Sequence, residues 1–188
     1  MEAFLVSTGF VALAEIGDKT QLLSLVLAAR YRRPRPIVAG ILLATLLNHA
    51  LASALGAWIT TLLAPETLRW IVGLSFIAMA LWMLVPDKLT KDETQTRNST
   101  RYGLFGLTLM IFFMAEMGDK TQIATIALAA KYSAFSAVVA GTTLGMMIAN
   151  VPVVLLGHRL VHRLPVRAIR WVTMALFAAL GVAALADA

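Results

Sequence analysis

The sequence predicts an all-α polytopic membrane protein, with six transmembrane helices arranged as two inverted three-helix repeats. Three observations carry that prediction. Of 188 residues, 60% are hydrophobic and only 14% charged, where soluble domains carry about 25% charge; the mean hydropathy is +0.81. Apolar runs fall at 3–29, 37–63, 69–86, 103–130, 135–157 and 168–186, each near or above the roughly 20 residues a spanning helix needs. Finally, the first half of the chain returns in the second at an offset of 101 residues. The runs are continuous and lack the alternation of barrel strands, so they read as helices.

Taken in order, the chain starts Met1-Glu2 with no basic n-region, and its first apolar run leads straight into charged residues. No cleavable signal peptide is expected from that start. The first three runs make one repeat, 1–86. A polar linker follows at 87–101, rich in Lys, Asp, Thr and Arg and expected to lie on the cytoplasmic side. The last three runs make the second repeat, 102–188. The offset pairs Ala28-Ala29 with Ala129-Ala130, Tyr31 with Tyr132, Ala39-Gly40 with Ala140-Gly141, Gly56 with Gly157 and Arg69-Trp70 with Arg170-Trp171. No gap is needed, which points to duplication. A unit of three spans repeated once enters the membrane upside down the second time, placing a pseudo-two-fold axis in the membrane plane. Gly141 and Gly145 form a GxxxG pair on the fifth span, with Gly40 and Ala44 at the matching places on the second. These small residues are expected to let helix backbones approach closely.

Loop charges set the orientation. Arg30, Arg32, Arg33 and Arg35 follow the first span, Lys88, Lys91, Arg97 and Arg101 the third, and Arg159, Arg163, Arg167 and Arg170 the fifth. Together they include every Lys and Arg except Arg69, Lys131 and two intramembrane lysines. The positive-inside rule then puts these loops in the cytoplasm and both termini outside it, in a multi-pass inner membrane protein. The net charge of +6 reflects these short loops; no basic run is long enough for a nucleic-acid surface, so no nucleic acid is expected as a partner. There are no cysteines, which excludes disulfides and thiolate metal sites.

Within the first and fourth spans lies one polar motif, twice: Ala14-Glu15-Ile16-Gly17-Asp18-Lys19-Thr20-Gln21 and Ala115-Glu116-Met117-Gly118-Asp119-Lys120-Thr121-Gln122. A charge at bilayer centre costs about 2.5–3.5 kcal/mol on insertion scales, so such residues mark function unless compensated. On a continuous helix Glu15, Asp18 and Lys19 share one face, while Gly17 between the acids is a point where the helix can break and bare its carbonyls. The inverted repeat would bring the copies together near the midplane. Glu15, Asp18, Glu116 and Asp119 with Gln21, Gln122 and the hydroxyls of Thr20 and Thr121 then make an all-oxygen site, suited to Ca²⁺, Mn²⁺ or Mg²⁺ over Zn²⁺ or Cu⁺. Carboxylates packed this closely out of water also hold protons, which compete with a metal. Competition of that kind is a basis for proton-coupled exchange.

Blander readings stand beside this one. Glu15–Lys19 and Glu116–Lys120 could be internal salt bridges, but each would strand an Asp near mid-membrane. Asn48, His49 and Asn150 lie at similar depth; for Asn48 and Asn150 a supporting role at the site and a plain interhelical hydrogen bond both fit. The Met110, Met114, Met117, Met146 and Met147 cluster reads as packing. Asp18-Lys19-Thr20 echoes the phosphorylated segment of ion-pumping ATPases, but Gln21 replaces the glycine that follows there and no nucleotide domain exists. An intramembrane carboxylate enzyme should show clustered Arg at the motifs, and none is near. A channel or uniporter without proton coupling remains the main alternative.

Two copies of Glu-x-Gly-Asp-Lys-Thr, one in each half, resemble the Gdt-type cation/proton exchangers, a family that includes bacterial manganese exporters, chloroplast manganese transporters and Golgi exchangers related to transmembrane protein 165. The resemblance covers nearly the whole chain. It implies export of Mn²⁺, or Ca²⁺ in some members, from the cytoplasm in exchange for H⁺, with no cofactor and no enzymatic activity. By motif matching it makes Glu15, Asp18, Glu116 and Asp119 the cation ligands, with Lys19, Lys120, Thr20 and Thr121 completing the pattern. The short linker and unextended N-terminus suit a bacterial member.

Overall fold

The computed structural model describes residues 1–85, 103–156 and 165–186, with the side chain of Val166 excepted. Among them all regular structure is helical: α1 Glu2–Glu15, α2 Lys19–Tyr31, α3 Pro34–Leu62, α4 Pro65–Trp82, α5 Gly103–Glu116, α6 Lys120–Tyr132, α7 Phe135–Leu156 and α8 Val166–Ala186. Pro34 and Pro65 open their helices at the first position, where a missing N–H costs nothing. Both α2 and α6 end on a left-handed residue, Arg32 (φ 52°) and Ser133 (φ 48°), whose N–H returns to the carbonyls of Ala28 and Ala129.

Two expected spans, 3–29 and 103–130, are not continuous. Each is two short helices, α1–α2 and α5–α6, separated at residues 16–18 and 117–119. The physical reason is one glycine in each: Gly17 at φ 84° and Gly118 at φ 78° take a left-handed backbone that ends a right-handed helix. Among the described residues three helices are long and apolar enough to cross a membrane, Pro34–Leu62, Phe135–Leu156 and Arg167–Ala186, while α5 is apolar but shorter. The linker 87–101, Arg159, Arg163 and Gly157 lie outside the described residues.

The burial pattern of α3 shows what surrounds the protein. Its inward face carries Gly40, Ala44, Thr45, Asn48, His49, Ser53 and Gly56, all buried. Its outward face carries Leu43, Leu47, Leu51, Leu55, Trp58 and Leu62, all exposed. Small and polar residues inside with large apolar ones outside is the reverse of a soluble helix, and it suits a lipid surround.

Packing exchanges partners between the halves. Helix α1 lies on α7, and α5 lies on α3. A Cβ on Gly141 would stand 2.6 Å from the Phe4 carbonyl oxygen and 3.0 Å from Ser7 Cβ. A Cβ on Gly40 would stand 2.9 Å from the Phe105 carbonyl oxygen and 2.7 Å from Thr108 Cβ. Glycine 40 matches 141 at the offset, Phe4 matches Phe105 and Ser7 matches Thr108, so one contact is made twice with the halves swapped. Gly145 likewise admits the Thr8 carbonyl, so the small-residue spacing does bring backbones together. Helix α4 packs on α8, where Phe76 and its offset match Phe177 close around Phe10 of α1 at ring-centroid distances of 6.0 and 4.0 Å. Such tight van der Waals contact matters where lipid offers no hydrophobic drive for association.

Candidate functional site

The site is built where the two breaks meet. Glu15 is the last residue of α1, and Asp18 is the N-cap of α2. Glu116 ends α5, and Asp119 caps α6, its Oδ1 accepting from the Lys120 N–H at 2.7 Å. The glycine between each acid pair turns the chain, so Glu and Asp stand at facing helix ends instead of on one helical face. Each Asp carboxylate at a helix N-terminus meets the positive end of the helix dipole.

Inside each copy the same circuit closes across the break. Thr20 Oγ1 donates to Glu15 Oε2 at 2.6 Å, and Thr121 Oγ1 donates to Glu116 Oε2 at 3.0 Å. The Gly17 N–H donates to Gln21 Oε1 at 2.9 Å, and the Gly118 N–H donates to Gln122 Oε1 at 2.7 Å. Threonine and glutamine thus staple the second half-helix to the first. Gln21 and Gln122, expected as oxygen donors to a cation, have those oxygens engaged by the glycine amides.

Between copies the lysines cross. Lys19 Nζ lies 3.5 Å from Asp119 Oδ2, and Lys120 Nζ lies 3.7 Å from Asp18 Oδ1. Each ammonium therefore serves the aspartate of the other half, a pairing that the sequence did not suggest. Lys120 also stands over the Trp82 ring, 5.9 Å from its centroid.

All four acids are buried. Glu15 Oε1 and Glu116 Oε1 are sealed from solvent and have no hydrogen-bond donor. A buried carboxylate oxygen without a donor is costly, and a cation or a proton relieves that cost. Among the described residues no three acid or imidazole groups converge into a ready-made metal cage. The ammonium groups stand among the acids instead, so a cation taking the aspartates must move them.

The surrounding polar groups tie the breaks to the long helices. Asn48 Nδ2 donates to the Phe113 carbonyl on α5 at 3.0 Å, and its Oδ1 is buried without a partner. Asn150 accepts from Ser24 Oγ at 2.7 Å and donates to the Met146 carbonyl at 3.1 Å. Gln21 Nε2 donates to the Ala149 carbonyl at 3.1 Å, joining α2 to α7. His49 is buried with neither ring nitrogen bonded. Sequence reasoning missed Ser24 and its offset match Thr125, both fully buried. A hydroxyl recurring at one offset in an apolar run was the available signal.

The chain is similar in sequence to known proteins over most of its length. The family described as "Divalent cation/proton antiporter GDT1" matches residues 3–91 and 104–188. The Vibrio cholerae protein named "Putative manganese exporter" is 54% identical over 184 residues, covering 97% of this chain and 90% of that one. "GDT1-like protein sll0615" of Synechocystis is 29% identical over 182 residues, 87% of each chain. "GDT1-like protein 5" of Arabidopsis thaliana is 28% identical over 176 residues, 75% of this chain and 77% of that one. No solved structure matches. The family's activity is transport and not enzymatic conversion, as expected from the motifs. The chain belongs to the GDT1 family of divalent cation/proton antiporters.

Proposed function

We propose that this chain exports Mn²⁺ from the cytoplasm in exchange for protons, by alternating access at Glu15, Asp18, Glu116 and Asp119. The observation that carries the proposal is the meeting of two broken helices whose buried glutamates each leave an oxygen without a donor. Broken helices meeting at mid-membrane are a recurring transporter device, because they supply charge-matched helix ends to an ion. Oxygen donors suit Mn²⁺ and Ca²⁺ alike. The name of the long, 54% identical Vibrio cholerae relative favours Mn²⁺.

In this reading α1–α2, α3 and α4 are three spans of a first repeat (1–86). The linker 87–101 is cytoplasmic, and α5–α6, α7 and α8 form the inverted second repeat (102–188). The swapped Gly40–Phe105 and Gly141–Phe4 contacts support a two-fold relation between the halves. Both termini then lie outside the cytoplasm in the inner membrane. Glu2→Cys and Ala186→Cys should each label from outside in intact cells; labelling only after permeabilisation would overturn that orientation.

Charge explains why the carrier exchanges. Four carboxylates with two ammonium groups leave −2 when all are ionised, which one divalent cation or two protons neutralise. An uncompensated charge is expensive away from water, so the carrier should change sides loaded with metal or with protons. Cells lacking the protein should accumulate Mn²⁺ and grow sensitive to it. The wild-type chain should reverse both effects and the Asp119→Asn chain neither; reversal by Asp119→Asn would sink the site.

A further inference from the structure

We infer that Lys19 and Lys120 are tethered stand-ins for the transported cation, a crossed latch that a divalent ion displaces on binding and that expels the ion on release. The inference rests on the carboxylate site proposed above. Three observations point to it. Each ammonium binds the aspartate of the opposite half, Lys19 with Asp119 at 3.5 Å and Lys120 with Asp18 at 3.7 Å. The pairs cross between the halves, so they join the two elements that must move relative to each other. And each ammonium has surroundings that suit a displaced cation. Lys120 stands over the Trp82 ring, while the Lys19 side chain is 21% exposed against 5% for Lys120.

Charge fits the swap. Two ammonium groups carry the same charge as one divalent cation, so replacing them at Asp18 and Asp119 leaves the charge on the aspartates balanced in both states. An ammonium also forms looser, longer contacts with carboxylates than a dehydrated metal at about 2.0–2.6 Å, so it yields the site and later reclaims it. With the latch closed, the two halves are held together while the site is empty of metal. With the metal bound, Lys120 can rest on the face of Trp82, where a cation is attracted by the ring. Lys19 can turn towards its exposed side. The lysines are positioning residues in this scheme. They compete with the metal and do not ligate it.

A lysine needed only for folding and one that competes with the cation predict opposite results when it is neutralised. Equilibrium Mn²⁺ binding should be measured on the purified full chain in detergent at fixed pH and salt, by the loss of the free-Mn²⁺ paramagnetic resonance signal. Uphill Mn²⁺ flux should be measured in parallel in proteoliposomes. Lys19→Gln and Lys120→Gln should each bind Mn²⁺ about tenfold tighter, since a like charge has left its vicinity, yet transport more slowly because release is no longer driven. Lys19→Arg and Lys120→Arg should keep affinity near that of the wild type. Lys120→Gln removes an ion-pair partner of the buried Asp18, a change that can unfold the chain. The less buried Lys19→Gln then reads the same effect in a folded protein. Unchanged or weaker Mn²⁺ binding in folded Lys19→Gln, with the wild type binding normally, overturns the latch. Failure of the wild-type chain itself to bind Mn²⁺ overturns the carboxylate site and the latch with it.

Discussion

The two motif copies are chemically one circuit set in unequal surroundings. In the first, Gln21 is 2% exposed and spends its amide N–H on the Ala149 carbonyl of α7. In the second, Gln122 is half-buried and its amide reaches the sulfur of Met117, itself 51% exposed. The turn glycine follows suit, Gly17 half-buried and Gly118 exposed. The lysines run the other way: Lys120 of the second copy is sealed, its side chain 5% exposed, while that of Lys19 in the first copy is 21% exposed. The threonine-to-glutamate and glycine-to-glutamine bonds recur in unequal packing, so that part of the local geometry is written in the motif, and access to it is written in what packs around it. In an exchanger with inverted repeats, swapping those surroundings swaps the open side, which is the proposal's picture of alternating access.

The largest break in the comparison comes from the aspartates, where the copies should behave alike. Asp18→Asn and Asp119→Asn should each cut transport by about a hundredfold or more, because each removes a negative charge from the site and from the ion pair that crosses between the halves. The double variant should be no worse than either single one. Normal flux in either single variant would mean two independent sites.

Next come the glutamate hydroxyl partners. Thr20→Val and Thr121→Val each remove a donor from a buried carboxylate, worth about 1.5–3 kcal/mol. The shorter Thr20–Glu15 bond, at 2.6 Å against 3.0 Å, predicts the larger loss in the first copy. Flux assays at equal expression read the difference, and equal losses would show that the two circuits are equally tight.

The glutamines should separate the copies most clearly in stability. Gln21→Leu strands the Gly17 N–H, at about 1–3 kcal/mol, and also loses the tie from α2 to the Ala149 carbonyl of α7. Gln122→Leu strands one amide at an exposed glycine and should cost about 1 kcal/mol or less. Thermal unfolding in detergent should therefore rank Gln21→Leu well below Gln122→Leu; the reverse ranking would remove the closed-and-open distinction.

The smallest effect belongs to the turns. Gly118→Ala meets no atom within 4 Å, so its whole cost is the left-handed backbone at φ 78°, about 1 kcal/mol. A neutral Gly118→Ala would mean the break relaxes into continuous helix without loss.

Much of this was legible in the sequence because duplication prints every feature twice. The offset that pairs Glu15 with Glu116 also pairs Gly40 with Gly141, and the structure places both glycines against the opposite half's entering helix. Gly17 between two acids signalled a weak point, but not that both motif spans would stop at the glutamate, since a run of apolar residues reads as one helix whatever its glycine's φ. Hydropathy records depth and not direction, so it could not show the lysines reaching across the halves or the glutamine oxygens turning to the glycine amides. Trp82 entered the site from α4, far away in sequence and outside either motif.

In the proposed exchange one carboxylate site serves metal and protons in turn. That exchange is tested most directly with the purified chain in proteoliposomes carrying an internal pH indicator. An imposed proton gradient should drive Mn²⁺ uphill, and an Mn²⁺ gradient should move protons the opposite way, both lost in Asp119→Asn. Mn²⁺ movement that ignores the proton gradient and leaves internal pH unchanged would contradict the account and make the protein a uniporter or a channel.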